Sequence, residues 1–129
     1  WIRHLVLITL APSGIAPFTR WVLQDRVLRF VPLPDARAIL EKLMALYWTG
    51  LQRPLRLFPQ SAQAYIDKDA SIDAARRAWL YSDHKYGEGA DPYYRLAFRG
   101  CDPLDDEFEG LAAAVFGPMK AAMEEERPA

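Results

Sequence analysis

FTRWVLQDRVLRFVPLPDARAILEKLMALYWTG, residues 18 to 50, changes its period halfway. Phe18 to Gln24 and Val27 to Val31 are two β-rich runs, and Asp25-Arg26 between them has the length of a two-residue hairpin turn. Glycine, which a type I′ turn prefers, is missing from it, so the turn geometry stays open. Alternation puts Thr19, Trp21 and Leu23 on one face and Arg20 and Gln24 on the other; Leu28 and Phe30 oppose Arg29. One face of the hairpin is therefore apolar and the other carries arginine. After Pro32-Leu33-Pro34 the period becomes helical. Ala36, Ile39, Leu40, Leu43, Leu46, Tyr47 and Leu51 form one stripe, with Arg37, Glu41 and Lys42 outside it. Asp35 is the N-cap or a first-turn acid of this helix, and Gly50 and Pro54 mark its exit. A hairpin running into helices predicts an α+β fold.

Working outward, Trp1 to Leu10 is apolar nearly all round, which fits a helix buried on most sides or a central strand; the helical spacing of Trp1, Leu5 and Ile8 favours the helix, ended by Ala11-Pro12-Ser13-Gly14. Beginning at Trp1 inside an apolar run, the chain reads as a piece of a longer protein. Ser61 is a candidate cap for a short helix to about Lys68, and Ser71 for another bearing Ile72, Ala75, Trp79 and Leu80. Ser82 to Ala90 reads as a loop. Asp91-Pro92 and Asp102-Pro103 are both start signals, and Gly100 is a stop. Asp105, Asp106 and Glu107 favour the first turn of a last helix whose buried face is Phe108, Leu111, Ala112, Val115 and Phe116. Gly117-Pro118 is expected to kink or restart it, and Glu124 to Pro128 to fray. The organisation expected is a single domain over 1 to 129, with a helix and hairpin in 1 to 31 and a helical part in 32 to 129.

With 129 residues, 51% of them hydrophobic, the chain can bury a core and is not a disordered segment. It carries no signal-peptide pattern and no apolar run of membrane-spanning length, and its one cysteine, Cys101, cannot form an internal disulfide. Both fit a cytoplasmic protein. The net charge of -1 conceals an asymmetry. Residues 1 to 60 hold eight Arg/Lys against three acids, a net of +5; residues 61 to 129 hold eight against fourteen, a net of -6. Seven of the eight N-terminal cations are arginine, the side chain suited to phosphate and carboxylate forks. Arg20, Arg26 and Arg29 beside Trp21 and Phe30, and Arg53 and Arg56 flanking Pro54, are the candidate DNA-binding residues. The alternative reading is a strand face kept soluble by charge and, for Arg53 and Arg56, hydrogen bonds to a helix C-terminus.

Other chemistries find less support. Pro34-Asp35 followed by Asp83-His84-Lys85 matches a nuclease signature in which acids hold Mg²⁺ and a lysine orients the attacking water. That chemistry needs the acids side by side, typically on a β-hairpin, whereas Asp35 opens a helix and Asp83 sits in a segment without apolar strand character. A metal-dependent nuclease using Asp35, Asp83 and Lys85 is the enzyme alternative. His4, His84 and Cys101 have no metal-ligand spacing, and the Gly87-Glu88-Gly89 segment lacks the lysine and preceding strand of a phosphate loop. No catalytic residue, metal ligand or cofactor is expected.

The punctuation between Tyr47 and Pro118 resembles a known family. Its pieces are Tyr47-Trp48-Thr49-Gly50-Leu51-Gln52-Arg53-Pro54-Leu55, Phe58-Pro59-Gln60-Ser61-Ala62, Gly87-Glu88, Asp91-Pro92-Tyr93-Tyr94, Phe98-Arg99-Gly100, and Phe108, Leu111 and Val115-Phe116-Gly117-Pro118. The string is similar to the C-terminal domain of RecC, the gamma subunit of exodeoxyribonuclease V, a bacterial helicase-nuclease that processes broken DNA ends. The resemblance spans about residues 18 to 120. It implies the distal part of a nuclease-like fold without the catalytic acids and lysine, and a noncatalytic role in assembling RecB-type and RecD-type subunits and guiding DNA strands. A pure protein-interaction module, its acidic half docking on a basic partner, is the third reading.

Overall fold

The computed structural model describes residues 1–81 and 86–126, and the fold is α+β and mainly helical. Six helices are found among the described residues: α1 Ile2–Leu10, α2 Ala36–Gly50, α3 Pro59–Asp67, α4 Ile72–Leu80, α5 Pro92–Ala97 and α6 Asp106–Ala122. Strands β1 Thr19–Val22, β2 Val27–Phe30 and β3 Met123–Glu126 form an antiparallel sheet in the order β1-β2-β3. The chain divides into two compact units, one of Trp1–Thr49 with Pro118–Ala129 and one of Gly50–Gly117.

In the first unit the predicted hairpin forms with its turn one residue early. Val22 pairs with Val27, and the Leu23 N–H donates to the Arg26 carbonyl at 2.9 Å, so the turn residues are Gln24 and Asp25. The pairing slides by two positions, which preserves each face. Trp21 then packs diagonally over Phe30, with ring centroids 4.6 Å apart, and Thr19 lies opposite Phe30. Phe30 is fully buried among Trp1, His4 and Trp21. His4 is buried with it: Nε2 donates to the Val31 carbonyl at 3.0 Å, and Nδ1 lies 3.2 Å from the Thr19 hydroxyl.

Three expectations fail in this unit. Glu124 to Glu126 belong to a third strand, not a frayed end; Glu is a poor strand former, but here the acids lie beside a strand bearing arginine. The α1 helix is not buried on most sides: His4 and Leu5 face inward while Ile2, Val6 and Leu10 are exposed. The α2 stripe is likewise covered at one end only. Ala36 is buried and Ile39, Leu40, Leu43 and Leu46 are partly buried, but Met44, Tyr47, Trp48 and, past the helix end, Leu51 are exposed.

The second unit is packed around Phe58, which touches the rings of Trp79, Tyr94, Phe98 and Phe108 at centroid distances of 4.6 to 6.1 Å. Ala62, Tyr65, Ala75, Leu104 and Ala112 complete this core. Ser71 caps α4 as predicted, accepting from the Ala74 N–H, and Asp91 caps α5 by accepting from Tyr93 and Tyr94. Ser61 does not cap α3. It lies buried in the first turn, and the carboxylate of Glu88 takes the helix N–H groups instead, at 3.1 Å from Gln60 and 2.8 Å from Ser61. Glu88 stands in a 3₁₀ turn, Glu88–Ala90, whose flanking glycine is forced by close approach: a Cβ on Gly87 would overlap the backbone of Trp79, Leu80 and Tyr81.

The last helix starts later than Asp102-Pro103 suggested. Asp102 accepts from Leu104 in a turn, and Asp105 is the actual cap, accepting from Glu107 and Phe108. From Asp106 the helix runs through Gly117-Pro118 without interruption to Ala122. Proline costs a helix only the bond its own nitrogen would donate and the fit against the preceding turn, and α6 tolerates both here.

A candidate nucleic-acid interface

The sheet pattern dictates where the arginines stand. Arg20 on β1 and Arg29 on β2 are directly opposite residues, so both project from one face, away from Trp21 and Phe30. Two like charges across a ladder repel, and two features offset this here. Phe18, from the same face, places its ring beneath both guanidiniums, at 4.7 Å from Arg29 and 5.3 Å from Arg20. Glu126 on β3 forks with Arg20, its two oxygens at 2.7 Å from Nε and from Nη2. Arg20 and Glu126 are both partly exposed, 50% and 35% at their side chains. The Nε of Arg29 is buried without an acceptor. Arg26, beside the turn, is half-exposed and 4.0 Å from the carboxylate of Asp25. Arg20, Arg26 and Arg29 are thus brought to one small sheet.

Arg53 and Arg56 belong to the other unit and meet different partners. Arg53 pairs with Glu107 at 2.7 Å. Arg56 is the more enclosed, with 19% of its side chain exposed. It donates to the Asp102 carbonyl at 2.6 Å, pairs with Asp105 and Glu107 at 3.4 and 3.3 Å, and lies over the Phe98 ring at 5.5 Å. The helix terminus they serve is therefore the acidic N-terminal turn of α6, not a C-terminus. Asp102 also accepts from Arg76 at 3.1 Å; the Leu104 N–H first, and then Arg76, hold its carboxyl below the usual carboxylate range.

These pairs alter the meaning of the charge asymmetry. Glu126 reaches Arg20, and Asp105 and Glu107 reach Arg53 and Arg56, so acids of the second half of the sequence neutralise arginines of the first within each unit. Sequence reading missed the Glu126 fork and the Glu88 cap because both join residues far apart in the chain, 106 and 27 or more positions, and neither has a local signature.

Among the described residues no group of three or more His, Cys, Asp or Glu could hold a metal ion. Asp35 is exposed in the N-cap position of α2, its carbonyl accepting from the Ile39 N–H at 2.9 Å; Asp83, His84 and Lys85 lie outside the described residues. Cys101 is exposed, its thiol donating to the Phe98 carbonyl at 3.1 Å. No described helix is long and apolar enough to cross a membrane.

An α+β chain with a small antiparallel sheet, one face apolar and the other bearing arginine over an aromatic ring, defines the class. Within it, the family model of the RecC C-terminal domain matches residues 1–70, and the chain belongs to that family. It is a segment of a RecC-type subunit, and so of a multisubunit complex. The matched region holds α1, β1, β2, α2 and α3; Gly87 to Pro118, where much of the helix punctuation lies, is outside it. No curated protein matches the chain.

Proposed function

We propose that this chain is a noncatalytic C-terminal segment of an exodeoxyribonuclease V gamma subunit, acting in assembly of the helicase-nuclease and in guiding DNA strands during double-strand break repair. The observation that carries it is the arginine face: Arg20 and Arg29 set side by side over Phe18, with Arg26 at the adjoining turn, in a family of this lineage. Guanidiniums fixed on a sheet contact phosphates without reading bases, which suits strand guidance. Arg56 contributes less to such contacts because a carbonyl and two acids of its own unit enclose it, while Arg53, like Arg20, is held by one carboxylate. The partners are RecB-type and RecD-type subunits, in the cytoplasm, and no cofactor is needed.

Assembly draws on a second observation. Ile2, Val6 and Leu10 on α1 and Met44, Tyr47 and Trp48 on α2 expose apolar side chains in helical succession, as surfaces covered by protein do. Within the acidic half, Asp105, Glu107 and Glu126 are occupied by this chain's own arginines and offer less to a basic subunit.

Fluorescence anisotropy with a labelled oligonucleotide tests the DNA role. Arg20→Ala and Arg29→Ala are each expected to weaken binding about 5-fold and to lower the salt slope by about 1. Unchanged affinity and slope in both would sink the phosphate-contact reading. Mg²⁺-dependent cleavage of DNA by the chain, lost in Asp35→Ala, would end the noncatalytic one.

A further inference from the structure

The acids of β3 alternate as the arginines do. Register places Glu124 opposite Arg29 and Glu126 opposite Val27, both on the arginine face, while Glu125 opposes Leu28 on the other. Glu126 reaches past β2 to grip Arg20 with both oxygens. Arg29 keeps a buried Nε without an acceptor although Glu124 is its cross-strand neighbour. The row is thus closed at Arg20 by a carboxylate, and Arg29 is only partly satisfied.

A carboxylate and a phosphate offer a guanidinium the same bidentate pair of anionic oxygens. The Arg20–Glu126 pair is solvent-accessible on both sides, and such pairs hold weakly enough to exchange. We infer that β3 is an internal phosphate mimic: Glu126, aided by Glu124, occupies the arginine row in the free protein and swings aside when a nucleic-acid phosphate takes its place. This rests on the reading that Arg20 and Arg29 contact phosphate. The strand keeps its backbone ladder throughout; the carboxylates turn toward water. The device raises the affinity threshold, so a strand must present phosphates at the row itself to be held, and passing strands are released readily.

The test is oligonucleotide binding by the full chain, using a labelled thymidine 20-mer at low salt. Glu126→Gln is expected to bind about 5-fold more tightly, the scale of one exposed ion pair. Glu124→Gln should gain about 2-fold, and it serves independently if Glu126→Gln fails to fold, as judged by circular dichroism. Glu125→Gln makes the same change in net charge on the opposite face and should leave affinity unchanged; an equal gain there overturns the inference in favour of bulk charge. In the double variant Arg20→Ala with Glu126→Gln, the gain should vanish. If Arg20→Ala and Arg29→Ala weaken binding while Glu126→Gln and Glu124→Gln change nothing, the mimic is refuted and the phosphate surface stands. If neither arginine variant weakens binding, the surface itself is refuted.

Discussion

The two units solve the same problem, how to keep arginine and aromatic side chains in place, in opposite ways. Around Phe58 the aromatic rings pack on one another, and Arg56 is fixed by a backbone carbonyl, two carboxylates and a ring. On the sheet, Arg20 depends on one exposed carboxylate, Arg29 is left with an unpaired nitrogen, and Trp48 and Tyr47 on α2 face outward. A group enclosed by several internal partners has little left to offer a ligand, whereas one held by a single solvent-accessible carboxylate can exchange it. Under the proposed function, the helical unit is the scaffold and the unit that holds the sheet is the one open to a ligand.

The largest effect expected from this contrast is on stability. Phe58→Ala removes the ring on which four others close, and should cost about 4 kcal/mol, read as a fall in the denaturant midpoint. Trp48→Ala deletes a larger side chain that is 65% exposed and should cost less than about 1 kcal/mol. Equal losses would break the comparison. They would mean that Trp48 is covered within the chain and that its face is not available to a partner.

The arginines sharpen it at a smaller scale. Arg56→Ala strands the Asp102 carbonyl and the acids of the α6 N-terminus, and should cost about 2 kcal/mol while leaving oligonucleotide affinity within 2-fold. For Arg20→Ala the order is reversed: less than about 1 kcal/mol of stability, because the pair it breaks is exposed, with the loss appearing in binding. Chemical denaturation and anisotropy on the same samples separate the two. A protein in which both variants lose stability but not binding has no recognition face on this sheet.

How much of this could be read from the chain depends on the range of the interaction. Ser71 and Asp91 cap helices that begin within three residues of them, so their roles are visible locally. The hairpin faces were also legible, because alternation survives a two-position slide in pairing. Strand β3 was not, since three glutamates in succession argue against a strand until β2, with Arg29, is set beside them. The Glu88 cap on α3 likewise exists only once α4 and the 3₁₀ turn have brought Gly87 against the Trp79 backbone. The arginines stand out in the sequence as a group, but which acids of this chain they meet depends on residues distant in sequence.

The smallest effect is a test of how closed the helical core is. Tyr65 is buried against Phe108, and its hydroxyl donates to Glu109 at 2.9 Å. Burial first, and then the hydrogen bond to the Glu109 carboxylate, push its pKa above the usual tyrosine value. A group whose folded pKa is raised contributes stability that is complete below the unfolded value, near 10, and is lost as pH rises through the folded one. Stability should therefore be flat from neutral pH to about 10 and fall beyond it as ionised Tyr65 confronts Glu109 in a partly buried site. Tyr65→Phe removes that contribution to the alkaline fall and costs about 1 kcal/mol at pH 7, the worth of one hydrogen bond. If the wild-type and Tyr65→Phe curves run parallel above pH 10, water reaches Tyr65, and the helical unit is more open than its packing requires.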